Sequence, residues 1–238
     1  MSEGMSGFAE KLVGVLTSPR ETFRTIEEGD LKKGLTIVLL AAILSAWAGM
    51  TYTSKMEFNI YVLLQTEQGR TSMPGGFSHP GTIETQEFDP EALRSRMLPF
   101  IALGGGIGAL TRWLVPSLLV LVAARLLVGG GSSKRMLAMT GFAYAPMLAQ
   151  QLLRVIDSST ITASKVATLS ATSMLGAGLI PRIINQVLSV FTVFGIAVAI
   201  LTVFAVSANF ETSTKDAAKA TILGYLLYVL LRTFLPIL

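Results

Sequence analysis

Arg112, Arg154, Arg182 and Arg232 sit in or beside four separate apolar stretches of the chain, and no Asp or Glu lies inside those stretches. Counting about 1.5 Å of helix rise per residue brings the four to one level, toward one end of each stretch. Asp157 and Asn185 fall at the same level. The chemistry such a set offers is anion recognition, because a guanidinium fork matches the oxygens of a phosphate or an anionic head group. The alternative is that each long side chain snorkels to a membrane interface independently of the others.

Other chemistries lack their residues. The chain has no Cys and a single His, His79, in an irregular loop, so no metal site is expected. The run Gly129-Gly130-Gly131-Ser132-Ser133-Lys134 is not a phosphate loop, since Ser rather than Gly precedes the Lys and an apolar helix rather than a strand precedes the run. No GxSxG is present to mark a serine hydrolase. The apolar stretches hold no carboxylate, which argues against a proton or cation relay. The net charge of +4 is small and dispersed, so no nucleic-acid partner is expected. Neither an enzyme nor a cofactor is indicated, and the expected partners are the lipid bilayer and proteins docking on one face.

The second group of interest is Ser18, Pro19, Arg20 and Phe23, with Lys134 and Arg135 far along the chain. Ser18-Pro19-Arg20-Glu21 reads as a capping box with proline in the first helical position. Phe23 and Ile26 continue an apolar face, and Gly29 is a stop signal. Before it, Phe8, Leu12, Val15 and Leu16 recur at helical spacing. The pair of short helices either lies on the membrane interface or packs beneath the bundle; the pattern alone fits both.

The elements that must carry these residues follow from composition. Hydrophobic residues make up 51% of the 238 and charged residues 14%, against about 25% charged in soluble domains. A bilayer core of about 30 Å needs roughly 20 apolar residues as helix. Stretches at about 34–53, 106–128, 136–156, 183–208 and 217–238 meet that need. The expected fold class is an all-α polytopic membrane helix bundle of about five transmembrane helices, with an amphipathic segment at 1–33 and a membrane domain at 34–238. Residues 166–181 are shorter and read as a re-entrant or buried segment, and 54–97 as a long extracytoplasmic loop. Gly104 with Gly108, and Gly141 with Ala145, are small-residue pairs of the kind that let helices approach closely. Pro116 and Pro146 should kink their helices. Basic residues are nearly balanced between the two sides, with the short loops favouring a cytoplasmic N-terminus in the cell membrane.

Leu16-Thr17-Ser18-Pro19-Arg20-Glu21-Thr22-Phe23 followed by a span, the glycine-rich run leading to Gly141-Phe142-Ala143-Tyr144-Ala145-Pro146, and the short polar loop Asn209–Lys219 together resemble short prokaryotic members of the Yip (Ypt-interacting protein) domain family. The resemblance covers nearly the whole chain and implies five spans and a cytoplasmic N-terminus. Eukaryotic relatives act in membrane trafficking and bind small GTPases, but the acidic-Leu-Tyr-Gly-Pro type motif before the first span is absent here. The resemblance therefore implies topology rather than GTPase binding. The expected function is that of a non-enzymatic integral membrane protein organising membrane or partner proteins, with Ser18, Pro19, Arg20, Phe23, Lys134 and Arg135 on the partner surface. The alternative is a small transporter or channel subunit, with Gln150, Gln151, Asn185 and Gln186 lining a path.

Overall fold

The computed structural model describes residues 2–55, 90–162, 187, 188, 190 and 192–234. His79, Arg182, Asn185, Gln186 and the 166–181 segment lie outside the described residues. Among the described residues there are helices and connecting turns and no strand. In chain order these are α1 (Ser2–Thr17), α2 (Pro19–Thr25), a 3-10 turn (Glu28–Asp30), α3 (Leu31–Ser54), α4 (Pro90–Leu127), α5 (Ser133–Ala143), α6 (Ala145–Thr160), α7 (Val193–Asn209) and α8 (Thr214–Phe234).

Three of them, α3, α4 and α8, are long and apolar enough to cross a membrane, and α7 is a shorter apolar helix. Helix α4 has 38 residues, about 57 Å at the α-helical rise, and so exceeds the hydrocarbon thickness. The third expected stretch is not one helix. It divides at Tyr144 into α5 and α6, with Pro146 in the first turn of α6, where its missing N–H costs nothing. The fourth stretch, expected to run helically from 183, is helical at Val187, Leu188 and Val190, and α7 starts separately at Val193. Thr192 caps that start, its hydroxyl accepting from the Gly195 N–H at 3.1 Å. Pro116 lies buried inside α4, where it leaves the Arg112 carbonyl without its helical donor.

Helix α3 is the centre of the bundle, packing on α4, α5 and α6, while α8 lies along α4 and α7. Its crossing with α5 is set by glycine. A Cβ on Gly34 would lie 2.6 Å from the Ala138 carbonyl oxygen, and one on Gly141 would lie 2.7 Å from the Gly34 carbonyl carbon. Gly104 and Gly108, expected at such a crossing, are not there. A Cβ on either meets nothing within 4 Å, and Gly105 makes the close approach instead, 3.2 Å from the Ala46 Cα.

The N-terminal helices pack beneath the bundle. Val15, Phe23 and Ile26 are fully buried in one cluster with Ile37, Met139, Phe142 and Ala205, and Phe8 and Leu12 pack against its edge. Leu16, expected on the same face, points outward. Ser18 makes no side-chain cap bond, and α2 ends at Thr25 with Ile26 extended, so neither the capping box nor the Gly29 stop forms. The packing of Phe23 and Ile26 sets the ends of α2 instead, and the reciprocal bonds appear one element later, where Asp30 and Glu27 bond each other.

Large apolar side chains cover the outside of the bundle. Ile43 and Trp47 on α3, Phe100, Leu103 and Ile107 on α4, and Leu226 and Leu230 on α8 are all exposed. An apolar surface of this extent fits lipid rather than water.

Candidate functional site

The arginines form two groups, one at the pole that carries the N-terminus and one about 20–30 Å along the helices from it. At the N-terminal pole three chain segments meet. Gly129, Gly130 and Gly131 all have φ between 71° and 81°, which only glycine adopts without strain. A Cβ on Gly131 would lie 2.5 Å from the Phe210 ring. That turn brings Ser132 to Asn209, whose Nδ2 donates to the Ser132 carbonyl at 3.1 Å, and the Ser132 hydroxyl donates to the Glu28 carboxylate. Arg135 then caps α2: its Nε donates to the Ile26 carbonyl at 2.9 Å and its Nη2 to the Arg24 carbonyl at 3.2 Å.

Behind that cap is an open cleft of about 450 Å³ lined by Arg20, Arg24 and Arg135, the hydroxyls of Ser207, Thr212 and Ser213, and Glu211. Two of the residues expected on a partner surface, Arg20 and Arg135, thus share one cleft. Lys134 and Ser18 are exposed beside it, Pro19 is half-buried, and Phe23 is fully buried. Phe23 therefore anchors the surface and does not present itself on it. Arg24 is a lining residue that sequence reasoning passed over, although it stands one helical turn after Arg20.

One carboxylate fixes this pole. Asp30, preceding α3, is buried and receives the Lys11 ammonium at 2.5 Å, the Lys33 ammonium at 3.0 Å and the Glu27 N–H at 3.1 Å. Burial pushes its carboxyl up, but the Lys11, Glu27 and Lys33 donors outweigh that and hold it at about 2, below the usual 3.8.

The second group lies around clefts between the helices, with Arg112 and Arg232 half-buried and Arg154 exposed. Arg112 on α4, Arg154 on α6 and Arg232 on α8 line one cleft with Tyr144, Tyr225 and Tyr228. A neighbouring cleft of about 480 Å³ between α3, α4 and α6 shares Arg112 and Arg154, and its other walls include Tyr52, Gly104, Gly105, Gly108, Ala109 and Gln151. No carboxylate lines either cleft among the described residues. No hydrogen bond or ion pair joins Arg112 or Arg154 to another described residue. The nearby Asp157 is taken by the Tyr52 hydroxyl, and Lys55 caps the end of α6 through the Ser158, Ser159 and Ile161 carbonyls at 2.7–3.1 Å. The Tyr228 hydroxyl and the Gln151 Oε1 are buried without a partner. Three of the four arginines expected at one level thus converge, and Arg182 lies outside the described residues. The tyrosines were not anticipated, yet Tyr225, Tyr228 and Arg232 stand at i, i+3 and i+7, one helical face.

Among the described residues no group of His, Asp and Glu could hold a metal ion. No curated protein and no solved structure matches the chain. A family model does: that of the Yip1 domain, over residues 13–235. That match takes in both arginine groups and every described helix in whole or in part, and the chain is a membrane protein belonging to the Yip1 domain family.

Proposed function

We propose that the protein is a non-enzymatic organiser of partner proteins in the cell membrane, with its N-terminal pole in the cytoplasm as the docking face. The observation that carries this reading is the built character of that pole. Phe23 and Ile26 tie α2 to the bundle, and Arg135 ties it to the 129–135 turn, so distant segments form one surface on which three arginines stand beside one acid, Glu211, at the cleft. Arg20 and Arg24 stand on it beside serine and threonine hydroxyls, a pattern suited to an acidic segment of a partner.

The test is quantitative cross-linking in native membranes of wild type against Arg20→Glu/Arg24→Glu. Both residues are exposed, so the variant should fold. Partners of wild type should be lost from the variant, and an unchanged profile would sink the reading. Orientation is checked separately. The chain has no Cys, so a Lys134→Cys variant carries a unique thiol, which should react with an impermeant maleimide only after the membrane is opened.

A second reading, a small transporter or channel subunit, draws on one observation: arginine-lined clefts lie between the helices. Anion flux in liposomes that falls on Arg112→Gln substitution would favour it, and absence of flux would count against it.

A further inference from the structure

We propose that the cleft between α3, α4 and α6 is a binding site for an anionic glycerophospholipid, with Arg112 and Arg154 holding the phosphodiester and the glycine wall of α4 accepting an acyl chain. Charge is the first argument. Two guanidinium groups on different helices line one cleft with no carboxylate among its described walls and no bond to any other described residue. Arg112 is half-buried and Arg154 is exposed at the mouth of the cleft, and like charges brought together beside apolar helices favour an anion that joins them. Arginine's planar fork suits the two non-bridging oxygens of a phosphodiester.

Shape is the second argument. Gly104, Gly108 and Arg112 recur at i, i+4 and i+8, which sets two side-chain-free positions in a row leading to the charge. Neither glycine makes the close helix contact that its spacing suggests, and a Cβ on either would point into open space. Gly104 is exposed on the outside of the bundle near the exposed Phe100, Leu103 and Ile107, so the groove opens sideways onto the lipid-facing surface. A glycine row that serves no helix crossing leaves room for an apolar chain.

Polar saturation is the third. Gln151 lines the same cleft at 4% exposure, and its Oε1 has no partner. An unused buried acceptor beside two cations fits a ligand with a donor next to its phosphate, such as a hydroxyl-bearing head group. Phosphatidylglycerol has both parts.

The test uses the full chain purified in mild detergent, exchanged with dioleoyl phosphatidylglycerol or dioleoyl phosphatidylcholine and read by native mass spectrometry. Wild type should retain phosphatidylglycerol at least tenfold over phosphatidylcholine. Arg112→Gln/Arg154→Gln should lose that preference. Gly104→Leu and Gly108→Leu, which fill the groove without touching the arginines, should each lower retention at least tenfold, and they decide the matter if the double arginine variant fails to fold. Arg125→Gln, near the opposite end of α4, should retain lipid as wild type does. Equal retention of the two lipids by wild type would overturn the proposal. So would full displacement of phosphatidylglycerol by millimolar inorganic phosphate with the leucine variants unaffected, which would mark a site for a free anion.

Discussion

Arg135 and Arg112 show what one side chain does in two surroundings. At the N-terminal pole, Arg135 gives its donors to the carbonyls of Arg24 and Ile26. Acids stand close by: Glu28 is bonded to Ser132, and Asp30 to Lys11 and Lys33. Charge there closes local helix ends and fastens α1, α2 and α3 to one another. At the clefts between the helices, half-buried Arg112 and exposed Arg154 have no such partners among the described residues, and tyrosine, glycine and glutamine line the clefts with them. Paired charge holds the fold; unpaired charge in an apolar setting opposes it. The two regions should therefore respond in opposite directions to loss of charge, and unequally to changes of volume.

Volume gives the largest contrast. Phe23 is fully buried where α2 meets the bundle. Phe23→Ala should destabilise by about 3–5 kcal/mol, as cavities left by aromatic side chains do. Gly104→Leu adds volume on the lipid-facing side, where nothing lies within 4 Å of its Cβ. It should leave the melting temperature in detergent unchanged. Equal losses from the two substitutions would erase the distinction between a packed pole and an open cleft.

Acid titration comes next. The Asp30 carboxyl is ordinarily at 3.8 and is held at about 2 in the folded chain. A lowered value means that its stabilisation is whole above about pH 4 and is lost as pH falls toward 2, a difference of about 2 kcal/mol at roughly 1.4 kcal/mol per unit. Between pH 4 and pH 2 wild type should lose that increment relative to Asp30→Asn in chemical unfolding. Parallel curves for the two proteins would show that the Lys11 and Lys33 pairs carry no stability.

The converse holds at Arg112. Replacing an unpartnered cation among helices by a side chain of similar length removes a desolvation cost without orphaning a partner. In lipid-free detergent Arg112→Met should be neutral or more stable, by up to about 1 kcal/mol. A loss as large as that from removing Asp30 would mean that Arg112 is a structural partner like Arg135.

How far these regions were legible in the sequence differs in the same way. Helix content and the apolar stretches follow from composition and periodicity, because backbone groups in lipid must bond within their own helix. Convergence of Arg112, Arg154 and Arg232 was readable from helix rise, since the spans run side by side. The break at Tyr144 was signalled by Pro146, whereas the start of α7 at Val193 follows a Thr192 cap inside an uncharged run with no proline to mark it. Gly104 and Gly108 misled because small-residue spacing fits both a helix crossing and an open groove. What separates the two is which face of α4 turns to α3, and Gly105 rather than its neighbours occupies it. Whether α1 and α2 lie on lipid or under the bundle was equally closed to pattern alone, because both surfaces take an apolar face.

Ser18 gives the smallest effect and the cleanest test of that last point. A serine followed by proline and then by glutamate three residues on is the local signal for a helix start, and loss of such a cap costs about 1 kcal/mol. The Ser18 hydroxyl makes no cap bond, however, and the side chain is exposed. Its carbonyl still serves the helix, accepting from the Thr22 N–H at 3.1 Å and from the Thr22 hydroxyl at 3.0 Å. Those bonds survive any side-chain change. Ser18→Ala should therefore alter unfolding by less than about 0.5 kcal/mol, far below the effect of Phe23→Ala five residues later. A loss near 1 kcal/mol would mean that the cap forms in solution and that local sequence, not docking of Phe23 and Ile26, starts α2.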